Sequence, residues 1–223
     1  MASGKRARRD NVIQLERNPV EYGFTDVKPL NFIQAEYLRA IQSNQIVFGV
    51  GSAGTGKTYV AATYAAGELF HRRIQKIILT RPNVETGRGL GFLPGTLEEK
   101  YAPYLEPFDN VFTRSLGKGF YEYALKAKTI EPKPLGFMRG ATFDNCIVLL
   151  DEAQNATKEE MKMLLSRIGK NCKMIISGDV DQSDIPDSGL SDAIHRLDCI
   201  PDIEVVRFMD DDIVRSKMCK QII

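Results

Sequence analysis

Eight consecutive residues constrain this chain more than any other feature. They match the phosphate-binding pattern G-x-x-x-x-G-K-[ST] in full and comprise Gly51, Ser52, Ala53, Gly54, Thr55, Gly56, Lys57 and Thr58. An apolar run at residues 46–50 precedes them, and an Ala-rich stretch at residues 59–66 follows. This context predicts a buried strand, a glycine-rich turn and the start of a helix. Backbone N–H groups of such a turn and the positive helix end converge on one point, which favours a bound phosphate.

Two side chains of this loop have predicted roles beyond the backbone contacts. Lys57 is expected to reach the outer phosphates of a nucleotide, and the Thr58 hydroxyl is expected to bind Mg²⁺. A flexible glycine-rich turn that carries a lysine by chance is the alternative. The strand and helix patterns on either side favour the phosphate site.

A second apolar run ends in two adjacent carboxylates. Residues 145–150 predict a buried strand, and Asp151 and Glu152 follow it directly. Beside a phosphate loop, Asp151 would hold Mg²⁺ directly or through a water, and Glu152 would act as general base toward the attacking water. A strand that ends in two solvated acids is the alternative. Together the two segments predict a nucleoside triphosphate site, and Glu152 predicts hydrolysis.

Length and charge place few limits on partners. The chain has 223 residues, enough for one α/β domain, and its net charge of +1 favours no partner class. We divide it into a basic flexible arm, residues 1–20, and one domain, residues 21–223. The arm is either a solvated tail or a segment that contacts nucleic acid. Its cations are Lys5, Arg6, Arg8 and Arg9.

The cysteine pattern predicts neither a metal centre nor a disulfide framework. The four cysteines have no C-x-x-C spacing, and only two histidines could join them. Cys146 lies inside an apolar run and is interpreted as a core residue. No signal-peptide pattern and no apolar run of membrane-spanning length occurs in the sequence, so we expect a cytoplasmic protein without membrane contact.

Strand and helix patterns alternate along the chain, which predicts a doubly wound parallel sheet. Residues 81–142 interrupt this alternation as a long insertion between strands 2 and 3, rich in Gly, Pro and aromatic residues. The five predicted strands are residues 46–50, 76–80, 145–150, 173–177 and 203–208. Helices are predicted at residues 31–41, after a capping box at residues 157–160, near residues 190–197, and at residues 211–222.

The motifs taken in order resemble those of the PhoH family of P-loop ATPases, which is related to the motor core of superfamily 1 helicases. The resemblance covers roughly residues 31–215 and is similar to short single-domain versions found in phages. Beyond the phosphate loop, its segments are residues 80–87, 90–95, 99–100, 103–104, 137–140, 151–155, 178–184, 188–190 and 212–215. The resemblance implies a RecA-like fold with strand order 5-1-4-3-2, and ATP with Mg²⁺ as cofactors.

Three further roles are implied by the resemblance. Gln34 would read adenine through its amide, or else be a solvated helix residue. Gln182 would sense the γ-phosphate, or else be an exposed turn residue. Arg81 would contact a nucleic-acid backbone, or else pair with Glu85 or another local carboxylate.

The chain departs from the family pattern in two ways. Arg88 stands where the family usually has Glu, which leaves the role of that acid open here. The second motor domain that supplies an arginine finger in related helicases is not found, so we expect a neighbouring subunit of a homo-oligomer, by analogy a hexameric ring, to supply one. Arg215 is the leading candidate and Arg139 the reserve. Arg215 could instead pair with Asp211 or Asp212.

The sequence therefore predicts a Mg²⁺-dependent ATPase coupled to RNA or single-stranded DNA. A switch that binds nucleic acid or a protein partner, with ATP setting its conformation and negligible turnover, is the alternative. A true helicase would need two motor surfaces on one strand, which a single domain provides only by assembling.

Overall fold

Six strands form one parallel sheet at the centre of the protein. The structure, a computed structural model, describes residues 23–82 and 106–214. The strands lie in the order β3-β2-β4-β5-β1-β6, and every pairing between neighbours is parallel. Their bounds are β1 Ile46–Gly51, β2 Lys76–Thr80, β3 Ile130–Pro132, β4 Cys146–Leu150, β5 Cys172–Gly178 and β6 Ile203–Phe208.

The predicted α/β class and the predicted order of five strands are confirmed, but the sheet has a sixth strand. The sixth, β3, adds to the free edge of β2 and lies inside the insertion. It has three residues, too few to show a period in the sequence. Pro132 is tolerated because an edge strand can lose one ladder donor.

Six helices occur in the described ranges: α1 Phe32–Ser43, α2 Lys57–Phe70, α3 Glu106–Leu116, α4 Lys118–Lys126, α5 Lys158–Leu165 and α6 Gly189–Leu197. The predicted capping box is confirmed, because the Thr157 hydroxyl accepts from Glu160 N and the Glu160 side chain accepts from Thr157 N. None of these described helices has the length and apolar character needed to cross a bilayer.

The helix predicted at residues 211–222 is wrong at its start. Asp210–Asp212 form a single 3₁₀ turn, and residues 215–223 lie outside the described residues. The Asp212 carboxylate caps the start of the turn by accepting from Met209 N. The turn does not continue as a helix, because Val214 N donates to Gly54 O instead of to a carbonyl of the preceding turn.

Helices cover both faces of the sheet, as the doubly wound prediction requires. Helices α1 to α4 pack on one face and α5 and α6 on the other, together with the 3₁₀ turn Leu135–Met138. Neighbouring strand residues such as Val47 and Phe48 point into opposite clusters, and both are fully buried. Strands covered on both faces read as continuous apolar runs, which is why the sequence revealed them.

Part of the insertion belongs to the core. Helix α3 packs against α2, and its residues Phe108, Phe112 and Leu116 are buried. The Phe112 and Tyr121 rings stack with centroids 5.5 Å apart, which joins α3 to α4. The spacing of four residues between the three apolar side chains of α3 is a helix signal that the sequence interpretation missed. Residues 83–105 of the insertion lie outside the described residues.

The described cysteines carry free thiols. Cys146 and Cys172 are buried register partners on β4 and β5, with sulfur atoms 3.8 Å apart, and Cys199 is exposed. The interpretation of Cys146 as a core residue is confirmed. Cys219 lies outside the described residues.

Candidate active site

The phosphate loop joins the end of β1 to the first residue of α2, Lys57, as predicted. Two of its glycines are required by close contacts as well as by backbone conformation. A Cβ on Gly51, with φ +135°, would lie 2.1 Å from the Phe208 carbonyl oxygen. A Cβ on Gly56, with φ +89°, would lie 2.5 Å from the Gln34 amide nitrogen. The loop is therefore packed tightly between β6 and α1, and larger residues would push it from that place.

Lys57 is buried at the base of the loop and only 9% exposed. Its ammonium donates to the carbonyls of Gly51 at 2.5 Å and Ser52 at 2.8 Å, and to the Thr55 hydroxyl at 3.2 Å. Burial lowers the pKa of Lys57. Three carboxylates oppose this shift: Asp179, Asp151 and Glu152. The lysine is thus desolvated and held by neutral groups that an anionic phosphate can replace.

The two predicted metal ligands are brought together. The Thr58 hydroxyl donates to Asp151 Oδ1 over 3.3 Å, where the end of β4 meets the start of α2. Asp151 is 8% exposed, and burial raises its pKa, with the Arg81 charge acting against that shift. A hydroxyl and a carboxylate fit Mg²⁺, which uses one or two protein oxygens and keeps waters and phosphate oxygens as its other ligands.

Glu152 has both carboxylate oxygens in contact with other side chains. Its Oε1 lies 2.9 Å from an Arg81 guanidinium nitrogen, and its Oε2 accepts from the Gln154 amide over 2.7 Å. Its backbone has φ +53°, in the left-handed region that non-glycine residues seldom adopt. Arg81 therefore pairs with the predicted general base. Glu85, the local partner considered from the sequence, lies outside the described residues, and the contact of Arg81 with nucleic acid stays a prediction. Sequence spacing gave no sign of this pair.

Gln182 is exposed and follows β5, and its side chain faces the same cavity as the phosphate loop. That cavity has a volume of about 510 Å³ and is lined by Lys57, Thr58, Asp151, Glu152, Asp179 and Gln182 among others. The structure thus brings together the predicted catalytic and metal-binding residues that it describes. Asp179, which is buried at the end of β5, and Gln154 received no role from the sequence, although both lie within the motifs that carried the resemblance.

Gln34 has a structural contact that the sequence interpretation did not include. Its Nε2 donates to Thr55 O over 2.9 Å, its Oε1 accepts from Leu30 N over 2.8 Å, and its side chain is fully buried. The amide therefore fastens the phosphate loop to the start of α1. It lines a second cavity, of about 420 Å³, which shares Gly56 and Tyr59 with the first.

The segment after β6 holds the phosphate loop from the other side. Val214 N donates to Gly54 O over 3.1 Å, and the Ser52 hydroxyl donates to the Asp210 carboxylate over 2.5 Å. The sequence interpretation missed this contact because it joins segments almost 160 residues apart. Of the two candidate arginine fingers, Arg139 is exposed after a 3₁₀ turn, and Arg215 lies outside the described residues. The basic arm and Arg88 also lie outside them.

Comparisons with known proteins agree on one family. A family model described as PhoH-like protein matches residues 26–223. Protein PhoH of Escherichia coli K12 is 44% identical over 204 residues, which cover 88% of this chain and 58% of the relative. The PhoH-like protein of Bacillus subtilis 168 is 47% identical over 193 residues, which cover 85% of this chain and 60% of the relative.

The chain spans less than two thirds of the length of these relatives. Among solved structures, the Pif1 helicase from Candida albicans is similar with a TM-score of 0.41 and 15% identity. That match covers 82% of this chain and 41% of the helicase. A similarity of this size supports no statement about activity.

Asp151 gives a stability prediction for the nucleotide-free protein. Because burial raises its pKa, the charged form is disfavoured in the folded state relative to the unfolded chain. Asp151→Asn removes the charge and keeps an oxygen that can accept from Thr58. We expect this variant to have a higher free energy of unfolding than wild type at pH 7, measured with urea in the presence of a chelator.

The pH dependence of this difference has a fixed sign. Because the pKa of Asp151 is higher in the folded protein than in the unfolded chain, the protonated side chain stabilises the folded state relative to the charged one. This stabilisation is fully present below the unfolded pKa and is lost as the pH rises through the folded pKa. The advantage of the variant should therefore shrink as the pH falls from 7 toward 4. Asp181→Asn, an exposed neighbour, is the control and should change little. An Asp151→Asn protein no more stable than wild type at pH 7 would contradict the burial cost.

Proposed function

This chain belongs to the PhoH-like protein family, and we propose that it hydrolyses ATP with Mg²⁺ at the carboxyl edge of its sheet. The observation that carries the proposal is the convergence of a phosphate loop, a hydroxyl–carboxylate pair and a second carboxylate on one cavity. Those groups supply what hydrolysis of a phosphoanhydride needs, which is charge neutralisation, a metal site and a general base.

Lys57, Thr58 and Asp151 would bind the reactive end of the nucleotide. The Lys57 ammonium exchanges its loop carbonyls for phosphate oxygens, and the backbone N–H groups at the start of α2 bind the same oxygens. Thr58 and Asp151 would hold Mg²⁺, which neutralises negative charge on the phosphates when it is bound.

Glu152 and Gln182 would act on the water and the γ-phosphate. Glu152 stands beside the metal pair and accepts the proton of the attacking water as general base. Gln182 lies on the loop after β5 at the same cavity, where its amide can bond to the γ-phosphate or to that water.

We place the adenine in the second cavity, next to the phosphate loop. Tyr59 and Val214 border both cavities, so a ligand bound to the loop can extend from one to the other. Thr63 lines the second cavity, and its hydroxyl is buried without a hydrogen-bond partner in the described part of the chain. Within the described residues, Gln34 Nε2 donates one of its two hydrogens and Oε1 accepts one bond, so each can form one more, and the reading of the base stays a prediction.

Coupling to RNA or single-stranded DNA is proposed through Arg81. A nucleic-acid phosphate would compete with the Glu152 carboxylate for the guanidinium, so binding of the strand and release of the base would be linked. The same ion pair also favours the second candidate, a nucleotide-dependent switch with negligible turnover. The ion pair and the Gln154 bond together occupy both oxygens of Glu152, the group that would have to bind the attacking water.

The first prediction for this function separates binding from chemistry. Glu152→Gln keeps the size and most contacts of the side chain but removes the base, so ATP should still bind while hydrolysis falls by about 10²-fold or more. Lys57→Ala is the comparison and should weaken binding and turnover together. Phosphate release and equilibrium binding of a nucleotide analogue are measured on both variants. Hydrolysis by Glu152→Gln at the wild-type rate would show that the base is assigned wrongly.

A second prediction concerns the nucleic acid. Arg81→Ala should weaken binding of a single-stranded oligonucleotide, lower the salt dependence of that binding by about one phosphate contact, and abolish any stimulation of hydrolysis by the strand. Lys126→Ala removes an exposed charge at the last residue of α4, before the start of β3, and should do none of this. Fluorescence anisotropy titrations at several salt concentrations measure the effect. Equal affinities of the two variants would remove Arg81 from the interface.

A third prediction concerns assembly. We propose a cytoplasmic homo-oligomer, a hexameric ring by analogy, in which Arg215 of one subunit, or Arg139, faces the nucleotide of the next. Arg215→Ala should lower turnover and leave nucleotide affinity nearly unchanged, because a finger acts on charge that develops during transfer. Light scattering with nucleotide should show a multimer. A fully active monomer at every concentration would exclude a finger in trans.

A further inference from the structure

The turn that directly follows Glu152 is hydrogen-bonded to the loop that follows β5. This turn, Ala153–Asn155, presents Gln154, whose Oε1 accepts from Asp179 N over 3.0 Å. The Ser183 hydroxyl donates to the backbone carbonyl of the same Gln154 over 3.1 Å. These bonds cross from the end of β4 to the end of β5, the two neighbouring strands whose ends form the cavity.

Asn155, the next residue, joins the same two segments in another way. Its Nδ2 donates to the Asp184 carboxylate over 2.9 Å, and its Oδ1 accepts from Asp184 N over 2.8 Å. Its side chain makes no described hydrogen bond to Glu152. Asn155 N donates to the Glu152 backbone carbonyl over 3.0 Å, but only the Gln154 side chain bonds to the Glu152 carboxylate, so the Asn155 side chain serves as a tie between the two segments.

Gln154 differs from that tie because its other end reaches Glu152. Its Nε2 donates to Glu152 Oε2 over 2.7 Å, so one buried amide, 3% exposed, spans from the β5 end to the carboxylate. A side chain in this place must accept from a backbone N–H at one end and donate to a carboxylate at the other, which an amide does and a carboxylate does not. Gly178 leaves the amide its space, because a Cβ there would lie 2.9 Å from Gln154 Oε1.

The two partners of Glu152 hold it from different directions. Arg81 follows β2 and contacts Oε1. Gln154 lies on the turn after β4 and contacts Oε2, while its own oxygen accepts from Asp179 N at the end of β5. Without the amide, Arg81 would be the one side chain of the described residues that contacts the carboxylate. With the Gln154 amide, the carboxylate is also linked to the loop after β5, which carries Gln182 at the cavity.

We propose that Gln154 is a positioning residue for hydrolysis, which holds the Glu152 carboxylate in fixed relation to the loop after β5 that faces the γ-phosphate. The proposal rests on the proposed ATPase function. Its consequence is that a displacement of the loop by the γ-phosphate reaches the Glu152 carboxylate through the Gln154 side chain. Orientation of a catalytic group contributes strongly to rate, and a misplacement of about 1 Å costs on the order of 10²-fold.

Three variants test the proposal in the full chain. Gln154→Ala should lower kcat by about 10-fold or more and leave the affinity for ATP within about threefold, since no atom of Gln154 binds the nucleotide. Gln154→Glu keeps an acceptor for Asp179 N but sets a carboxylate against Glu152, so it should lose kcat as well. Asn155→Ala removes two bonds between the same segments and should keep kcat within about threefold.

A second readout needs no turnover. ADP with aluminium fluoride and Mg²⁺ imitates the transferring phosphoryl group, and wild type should bind it more tightly than ADP alone. Gln154→Ala should lose most of that preference, and Asn155→Ala should keep it. Thermal unfolding of both variants shows whether they are folded and comparably stable.

These outcomes distinguish a failure of the Gln154 role from a failure of the proposed ATPase function. Asn155→Ala should not lose kcat and the preference for the fluoride complex as Gln154→Ala does. If it does, both residues act only by holding the two segments together, and the positioning role of Gln154 is wrong. If wild type is active and Gln154→Ala keeps both kcat and the preference, this proposal alone fails. If wild type neither hydrolyses ATP nor prefers the fluoride complex, the ATPase function fails, and the positioning role fails with it.

Discussion

The electrostatic interaction of buried Lys57 with the buried carboxylates Asp151 and Asp179 is the one on which the rest of the site depends. Lys57, Asp151 and Asp179 are each less than 10% exposed, and burial disfavours the charged forms of the first two. Carbonyls of the phosphate loop and one hydroxyl compensate the ammonium, and Thr58 bonds to Asp151. Charges in such a desolvated site interact more strongly with an entering phosphate and metal, because their surroundings screen them less than water does.

The order of the strands explains why these groups meet. Strands β4, β5 and β1 are neighbours, and all run in the same direction, so their carboxyl ends bring the carboxylate pair, the loop after β5 and the phosphate loop to one edge. Packing then fixes the loop. Gly51 touches β6, Gly56 touches Gln34, and Val214 binds the loop from the segment after β6. These contacts, all within the chain, fix the position of the phosphate loop at the edge of the sheet.

The sequence predicted the parts of this arrangement that are local. Continuous apolar runs revealed five strands, Thr157 and Glu160 revealed a helix start, and the phosphate pattern located the loop. What it missed depends on contacts between distant segments or on elements too short for a period. The edge strand Ile130–Pro132 is of the second kind. The Arg81–Glu152 pair and the Gln154 bridge are of the first, because only the fold brings the ends of β2, β4 and β5 together.

The central claim is that the groups at this edge break the bond to the γ-phosphate rather than only bind the nucleotide. A single-turnover experiment tests it most directly, with wild-type protein in excess over γ-labelled ATP and with Mg²⁺ or a chelator. The account predicts complete release of labelled phosphate in a single first-order phase that requires Mg²⁺. Recovery of the bound ATP unchanged over the same period, with Mg²⁺ present, would contradict it and leave a nucleotide-dependent switch.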